Sequence, residues 1–310
     1  MKHQKWVDKN IDNLEGKVII VTGSSSGIGK YEALYFAYKG ATVIMACRNV
    51  EKAKKIKEEL LGEVPNGNFD IIQLDLSDFT SIDNFNKTIR EKYTHIDCLV
   101  NNAGVYFMPK EKTKQGFEIT MGTNYLGPYY LTCSILDLIT NGEGKIINVS
   151  SIVHKYAKID FNDFFAENAN RNKIYARSKL ALTSFSYYLG EYLSKNYKNV
   201  TCVCAHPGVS ATNILAPKSG GFSVWFSKLG SRFLKIFTHA PSKACLSVVY
   251  AINKNVQNNA FFGPKFFEIS GYPKKVKYKK NTHKYKENLI KKSIELTLLN
   301  ISLLCFLIII

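Results

Sequence analysis

Seven short apolar runs recur along the chain, near residues 17–22, 42–47, 69–75, 96–101, 144–150, 199–205 and 260–268, and stretches with helical spacing separate them. Strands that alternate with helices in this way build a parallel sheet, and continuous apolar runs suit strands buried on both faces. The pattern predicts an α/β chain with a single doubly wound parallel sheet of about seven strands and helices on both faces. A length of 310 residues would allow two domains. Sheets of this class nevertheless fill about 250 residues as one, so residues 1–272 are expected to share one core.

The first run, Val18-Ile19-Ile20-Val21, leads directly into Thr22-Gly23-Ser24-Ser25-Ser26-Gly27-Ile28-Gly29. Lys30 to Tyr38 follow, with Ala33, Leu34, Phe36 and Ala37 placed to pack a helix. Strand, glycine turn and helix in that order form the Rossmann-type dinucleotide context: Gly23 for the turn, Gly27 for close approach of a pyrophosphate, Gly29 for helix packing. The free N–H groups of the helix N-terminus supply the phosphate donors. The second strand ends Ala46-Cys47-Arg48. A carboxylate here would accept from the ribose 2′-hydroxyl of NAD, whereas Arg48 can pair with a 2′-phosphate. NADP(H) is therefore the expected cofactor, with NAD(H) open if Arg48 is only a solvated loop charge.

Tyr175 and Lys179 lie four residues apart in a helical stretch, which puts a phenol and an ammonium on one face. A nearby cation favours phenolate, so Lys179 is expected to draw the Tyr175 pKa down towards the range of a working acid or base. The spacing alone fits a solvated helix face equally well. Its context decides between the two.

Taken together, these motifs resemble the classical short-chain dehydrogenase/reductase family over about residues 15–270. Thr22, Gly23, Ser25, Ser26, Gly27, Ile28 and Gly29 resemble its cofactor turn, and Asp75 with Leu76 its adenine contact. Asn102, Ala103 and Gly104, after Asn101, resemble its central-strand motif. Asn124 falls where the family has its catalytic Asn, and Ser151, after Lys145 to Val149, where it has its catalytic Ser. Pro207, Gly208, Val209 and Thr212 resemble the loop that holds the nicotinamide carboxamide. The resemblance implies a Ser151-Tyr175-Lys179-Asn124 catalytic set, with Tyr175 and Lys179 also touching the cofactor. It implies hydride exchange between nicotinamide and a carbonyl carbon, with Asn124 holding a water that links Lys179 to solvent.

Within the family the likeness is nearest to the retinol dehydrogenase branch, through Ala46-Cys47-Arg48-Asn49, Val149 to His154, and an Ile159-Asp160-Phe161-Asn162-Asp163 insertion between Ser151 and Tyr175. That branch acts on apolar alcohols and carbonyls, which implies a lipophilic retinoid-, steroid- or fatty-aldehyde-like substrate. Ser24-Ser25, where the branch commonly has Ala-Asn, is a departure that could weaken hydrogen bonds in the turn.

The remaining features bear on surroundings. Seven cysteines without a Cys-x-x-Cys pair read as core thiols in a reducing compartment, and no metal site is expected. His154 and His206 flank the site, as structural groups or as substrate contacts. The formal charge of +17 is concentrated in residues 273–292, where nine Lys face one Glu. This basic neck precedes the apolar tail of residues 293–310. Leu296 to Ile310 would reach only about 22 Å as a helix, against roughly 30 Å of hydrocarbon. The tail reads as a membrane anchor with its lysines towards the cytosol, or as a C-terminal helix docked in a core or a homodimer interface. Gly221 to Phe237 reads as an apolar substrate lid that meets a lipid surface, or as a buried helix. A membrane-associated enzyme facing the cytosol, on the endoplasmic reticulum or another membrane, is expected, with a cytoplasmic enzyme as the alternative. Two rival classes, a non-catalytic cofactor-binding scaffold and a nucleic-acid binder, account less well for the intact catalytic set and for charge gathered in the neck, and no nucleic-acid partner is expected.

Overall fold

A computed structural model describes residues 1–106, 108–208 and 240–300. Its strands are β1 (Val18–Thr22), β2 (Thr42–Cys47), β3 (Asn68–Gln73), β4 (Cys98–Asn101), β5 (Lys145–Val149), β6 (Thr201–Ala205), β7 (Phe261–Phe266) and β8 (Ser270–Lys275). They form one sheet in the order β3-β2-β1-β4-β5-β6-β7-β8. The seven apolar runs become β1 to β7, all paired in parallel. Strand order reverses between β1 and β4, and in sheets of this kind the crevice at the carboxyl ends beside that reversal receives the ligand.

The helices are α1 (Gln4–Asn10), α2 (Gly27–Tyr38), α3 (Val50–Glu63), α4 (Phe79–Lys92), α5 (Ile119–Met121), α6 (Gly127–Ser134), α7 (Leu136–Thr140), α8 (Arg171–Asn196), α9 (Pro241–Ala244), α10 (Leu246–Tyr250) and α11 (Lys280–Thr297). A π-helical turn, Gly122–Leu126, joins α5 to α6. Successive strand residues serve opposite faces. Ile20, Ile44, Leu99 and Ile146 pack with Phe85, Tyr129, Leu180 and Phe185 on one side. Ile19, Val43, Val100 and Ile147 pack with Leu34, Phe36 and Val248 on the other. All six described cysteines are free and buried.

The eighth strand, β8, is antiparallel to β7, with Pro264 opposite Pro273. Its sequence, Ser-Gly-Tyr-Pro-Lys-Lys, carries no apolar alternation, as befits an edge where proline and lysine discourage further pairing. The boundary expected at residue 272 therefore falls inside a strand. Residues 273–292 are not a neck outside the fold, because after β8 the chain enters α11, which packs along α8 with Leu289 and Ile290 in the core. Lys286 pairs with Glu191 of α8. The first part of the expected anchor is likewise docked: the Ser293 hydroxyl meets the Tyr125 hydroxyl at 2.5 Å, and the Tyr129 hydroxyl donates to the Leu299 carbonyl at 2.9 Å. Among the described residues no helix is long and apolar enough to cross a membrane. The expected lid at 221–237, Val209, Thr212 and residues 301–310 lie outside the described residues.

Glu32 of α2 is fully buried, and neither of its carboxylate oxygens has a partner among the described residues. Burial pushes its carboxyl up to about 8 from the ordinary 4.5. Between those values the folded chain holds a proton that the unfolded chain releases. Stability should therefore fall as pH rises from about 4.5 and level off above 8, by on the order of 5 kcal/mol. Glu32→Gln should flatten that slope, read as urea midpoints across the range; an unchanged slope would place Glu32 in contact with water.

Candidate active site

The carboxyl ends of β1 and β4 are stitched together at the cofactor turn. The Thr22 hydroxyl donates to the Val100 carbonyl at 3.2 Å and accepts from the backbone N–H groups of Asn102 and Ala103 at 3.0 and 2.9 Å. The Asn102 amide returns a bond to the Thr22 carbonyl at 2.7 Å. Gly23 has φ +70°, and a Cβ there would lie 2.9 Å from the Ala103 Cα, so shape and space both demand glycine. At Gly29 a Cβ would lie 2.4 Å from the Asn102 amide nitrogen, which is how α2 closes against the strand ends. Ser26 precedes α2 without capping it, so the first N–H groups of the helix remain for an anion. Ser25, Ser26, Gly27 and Ile28 are partly exposed along this edge. Ser24 is fully buried against the Cys47 sulfur at 3.3 Å. Its difference from the resembled branch is therefore absorbed by the core.

Beyond β2, Arg48 is largely exposed, with its guanidinium 3.9 Å from the Asp75 carboxylate. Asp75 is otherwise engaged by Ser77, whose N–H and hydroxyl donate to it at 2.9 and 2.6 Å. The Leu76 side chain is in the core, leaving only its backbone to meet a ligand.

The catalytic candidates meet at the centre of the crevice. Asn124 sits in the π-helical turn, and wide turns of this type often carry functional side chains. Its amide accepts from the Val105 N–H at 2.7 Å and donates to the Val105 carbonyl at 2.9 Å and to the Ser178 hydroxyl at 3.0 Å. Asn124 and Lys179 both crowd Gly104: a Cβ there would lie 3.2 Å from the Asn124 amide oxygen and 3.3 Å from the Lys179 ammonium. Lys179 donates to the Val149 carbonyl at 2.9 Å. Ser151, two residues beyond β5, lies beside the phenol of Tyr175 from α8 and lowers its pKa. Pro207 and Gly208 follow β6 at the same edge.

The ionisation of the pair departs from expectation. Burial pushes the Tyr175 phenol up to about 12, the Ser151 hydrogen bond works in the opposite sense, and Tyr106 adds a further upward push. Lys179 is not among the groups that lower the phenol, and burial pushes its own ammonium down to about 8. Its Nζ lies 5.9 Å from the Tyr175 ring centroid. Tyr175 is therefore a neutral phenol at physiological pH.

Several participants carry no sequence signal of their own. Tyr106 stands edge-on to Tyr175, with ring centroids 4.8 Å apart, and donates to Asn172 at 2.6 Å. Only its place two residues after Gly104 could have pointed to it. His154 and His206 are both buried. The His154 Nδ1–H donates to the Ser151 carbonyl at 2.7 Å, and burial pushes the ring down to about 4, so it is a neutral prop for the serine loop. The insertion after residue 158 folds back through Ile159 and Phe164, which are buried.

A family profile described as short chain dehydrogenase matches residues 17–220. The human protein named retinol dehydrogenase 13 is 38% identical over 204 residues, which is 65% of this chain and 61% of that protein's length. Human polyprenol dehydrogenase is 32% identical over 242 residues, 76% of this chain and 72% of that protein. Among solved structures, an uncharacterized protein from Mycobacterium paratuberculosis superposes with a TM-score of 0.77 at 26% identity, over 94% of this chain and 97% of that one. The matched span contains the glycine turn, the Asn124 turn, Ser151, Tyr175 and Lys179, and the sheet carries them to one crevice: the chain belongs to the short-chain dehydrogenase family.

Proposed function

We propose that the protein interconverts a carbonyl and an alcohol on a lipophilic substrate, with NADP(H) as the hydride carrier. The observation that carries this reading is the convergence of Ser151 on the Tyr175 phenol, with Lys179 and Asn124 both close against Gly104. The nicotinamide supplies or accepts the hydride when bound. Ser151 holds the substrate oxygen, and Tyr175 gives its proton to that oxygen in reduction or takes one in oxidation. Lys179 grips the nicotinamide ribose, and Asn124 orders the solvent path to Lys179. The uncapped start of α2 takes the pyrophosphate, while Asp75, the Leu76 backbone and the Asn102 to Gly104 segment wall the adenosine side. Pro207, Gly208, Val209 and Thr212 hold the carboxamide.

A lipophilic substrate is supported by relatives named for retinol and polyprenol. The membrane reading now rests on residues 301–310, whose apolar sequence reaches about 15 Å as a helix. A panel of retinoid, steroid, fatty-aldehyde and quinone substrates, assayed with both nicotinamide cofactors, tests the activity. Turnover of none of them, by a protein that binds the cofactor, would remove the substrate assignment.

NADP(H) selection is assigned to Arg48. A charge-assisted bond to a 2′-phosphate is worth about 1.5–3 kcal/mol, so Arg48→Ala should weaken NADPH by roughly 10- to 100-fold and NADH by less than about threefold. Dissociation constants of both cofactors for parent and variant check this. A parent that binds NADH as tightly as NADPH would overturn the preference.

A further inference from the structure

The mechanism leaves one cluster of charged and titratable side chains unused, at the nicotinamide end of the crevice. Glu268 lies at the tip of the β7–β8 hairpin and joins two loops that flank that end. Its Oε1 accepts from the Lys155 ammonium at 2.5 Å, and its Oε2 meets His206 Nε2 at 3.1 Å. Lys155 belongs to the short 3₁₀ turn Ile152–Tyr156, which begins immediately after Ser151. His206 immediately precedes Pro207-Gly208. The Gly208 N–H donates to His206 Nδ1 at 3.2 Å, which fixes the ring as the neutral tautomer with its proton on Nε2, aimed at Glu268.

The hairpin tip also touches the loop itself. Gly208 has φ +75°, and a Cβ there would fall 2.3 Å from the Ile269 carbonyl oxygen and 2.8 Å from the Pro264 ring. Phe267 and Glu268 both adopt positive φ, at 50° and 57°, a costly arrangement for two consecutive residues with side chains. His206 is wholly buried, so its Nε2–H has no water to replace Glu268. The bond from His206 is thus more than a surface ion pair.

We propose that Glu268 is a positioning residue that sets the distance between the Ser151 loop and the Pro207-Gly208 loop, and with it the pocket for the nicotinamide ring. The inference rests on the proposed function, because the nicotinamide end is assigned from that reading. It predicts a selective defect: the nicotinamide half of the cofactor loses its place while the adenosine half keeps its own.

The test measures two ligands on each protein, NADPH by nicotinamide fluorescence and 2′,5′-ADP by calorimetry. Glu268→Ala should weaken NADPH about tenfold and leave 2′,5′-ADP within about twofold. Glu268→Gln retains an acceptor for His206 and loses the charge facing Lys155, so its defect should be smaller, about threefold. It also stands as the readout should the alanine variant misfold. Lys155→Met should weaken NADPH, and adding it to Glu268→Ala should do no further harm, because both act through one bridge. An unchanged NADPH constant in Glu268→Ala and Glu268→Gln, equal losses for both ligands, or additive effects would overturn the positioning role while leaving the proposed function standing. A parent that binds neither ligand would overturn both.

Discussion

Tyr175→Phe should cut turnover about a thousandfold while leaving the NADPH dissociation constant within roughly twofold. The phenol is pushed up to about 12, so at pH 7 it is a protonated donor rather than a phenolate. The phenylalanine ring can keep the edge contact with Tyr106 and loses only the proton and the bond to Ser151. Lys179→Ala should damage binding and turnover together, since that ammonium is buried between Val149 and the Asn124 turn. Single-turnover rates, with any substrate the parent accepts, decide the matter alongside thermal midpoints. Near-parental rates in the phenylalanine protein would remove Tyr175 from proton transfer.

Two truncations should behave in opposite ways. Deleting residues 301–310 should leave the folded domain intact, because α11 and the bond that ties Leu299 to Tyr129 precede them. Deleting residues 293–310 takes away the last turn of α11, the partner of the Tyr125 hydroxyl and the carbonyl that receives Tyr129. It also uncovers apolar surface now shared with Ile294, Leu296 and Leu299. Lost burial and two orphaned phenols should cost roughly 3 kcal/mol or more, a fall of about 6–12 °C in Tm. Scanning calorimetry of the two truncated proteins and sedimentation with liposomes separate the effects. If the longer deletion melted like the parent, α11 would contribute nothing to the core; if the shorter one still pelleted with liposomes, residues 301–310 would not be the lipid contact.

What was legible from sequence was whatever a short window contains. Each of β1 to β7 is a local apolar run, and the glycine turn carries its own flanking strand and helix. β8 escaped because an edge strand has no need of apolar alternation and offers Pro273, Lys274 and Lys275 instead. α11 escaped because its buried stripe is partly polar: Thr282, Ser293 and Thr297 are buried beside Leu289 and Ile290. A dense lysine count on the other positions then reads as a neck. Tyr106 and Glu268 reach the site through tertiary placement alone. The Tyr175 and Lys179 ionisation illustrates a further limit, since spacing shows that two groups are neighbours and burial decides which of their charges survives.

The clasp between α11 and the Asn124 turn has a bearing on the order in which the molecule is completed. Tyr125 and Ser293 are 168 residues apart, and Tyr129 and Leu299 are 170 apart. Contacts of such separation are entropically expensive to close and repay that cost only after the segments between them are organised. The bonds that stitch the glycine turn to β4, by contrast, span only 78 to 81 residues and lie in the first third of the chain. A growing polypeptide can therefore shape its nucleotide cradle long before the wall behind Asn124 is secured, so the capacity to hold a cofactor would be gained earlier in folding than the capacity to use it.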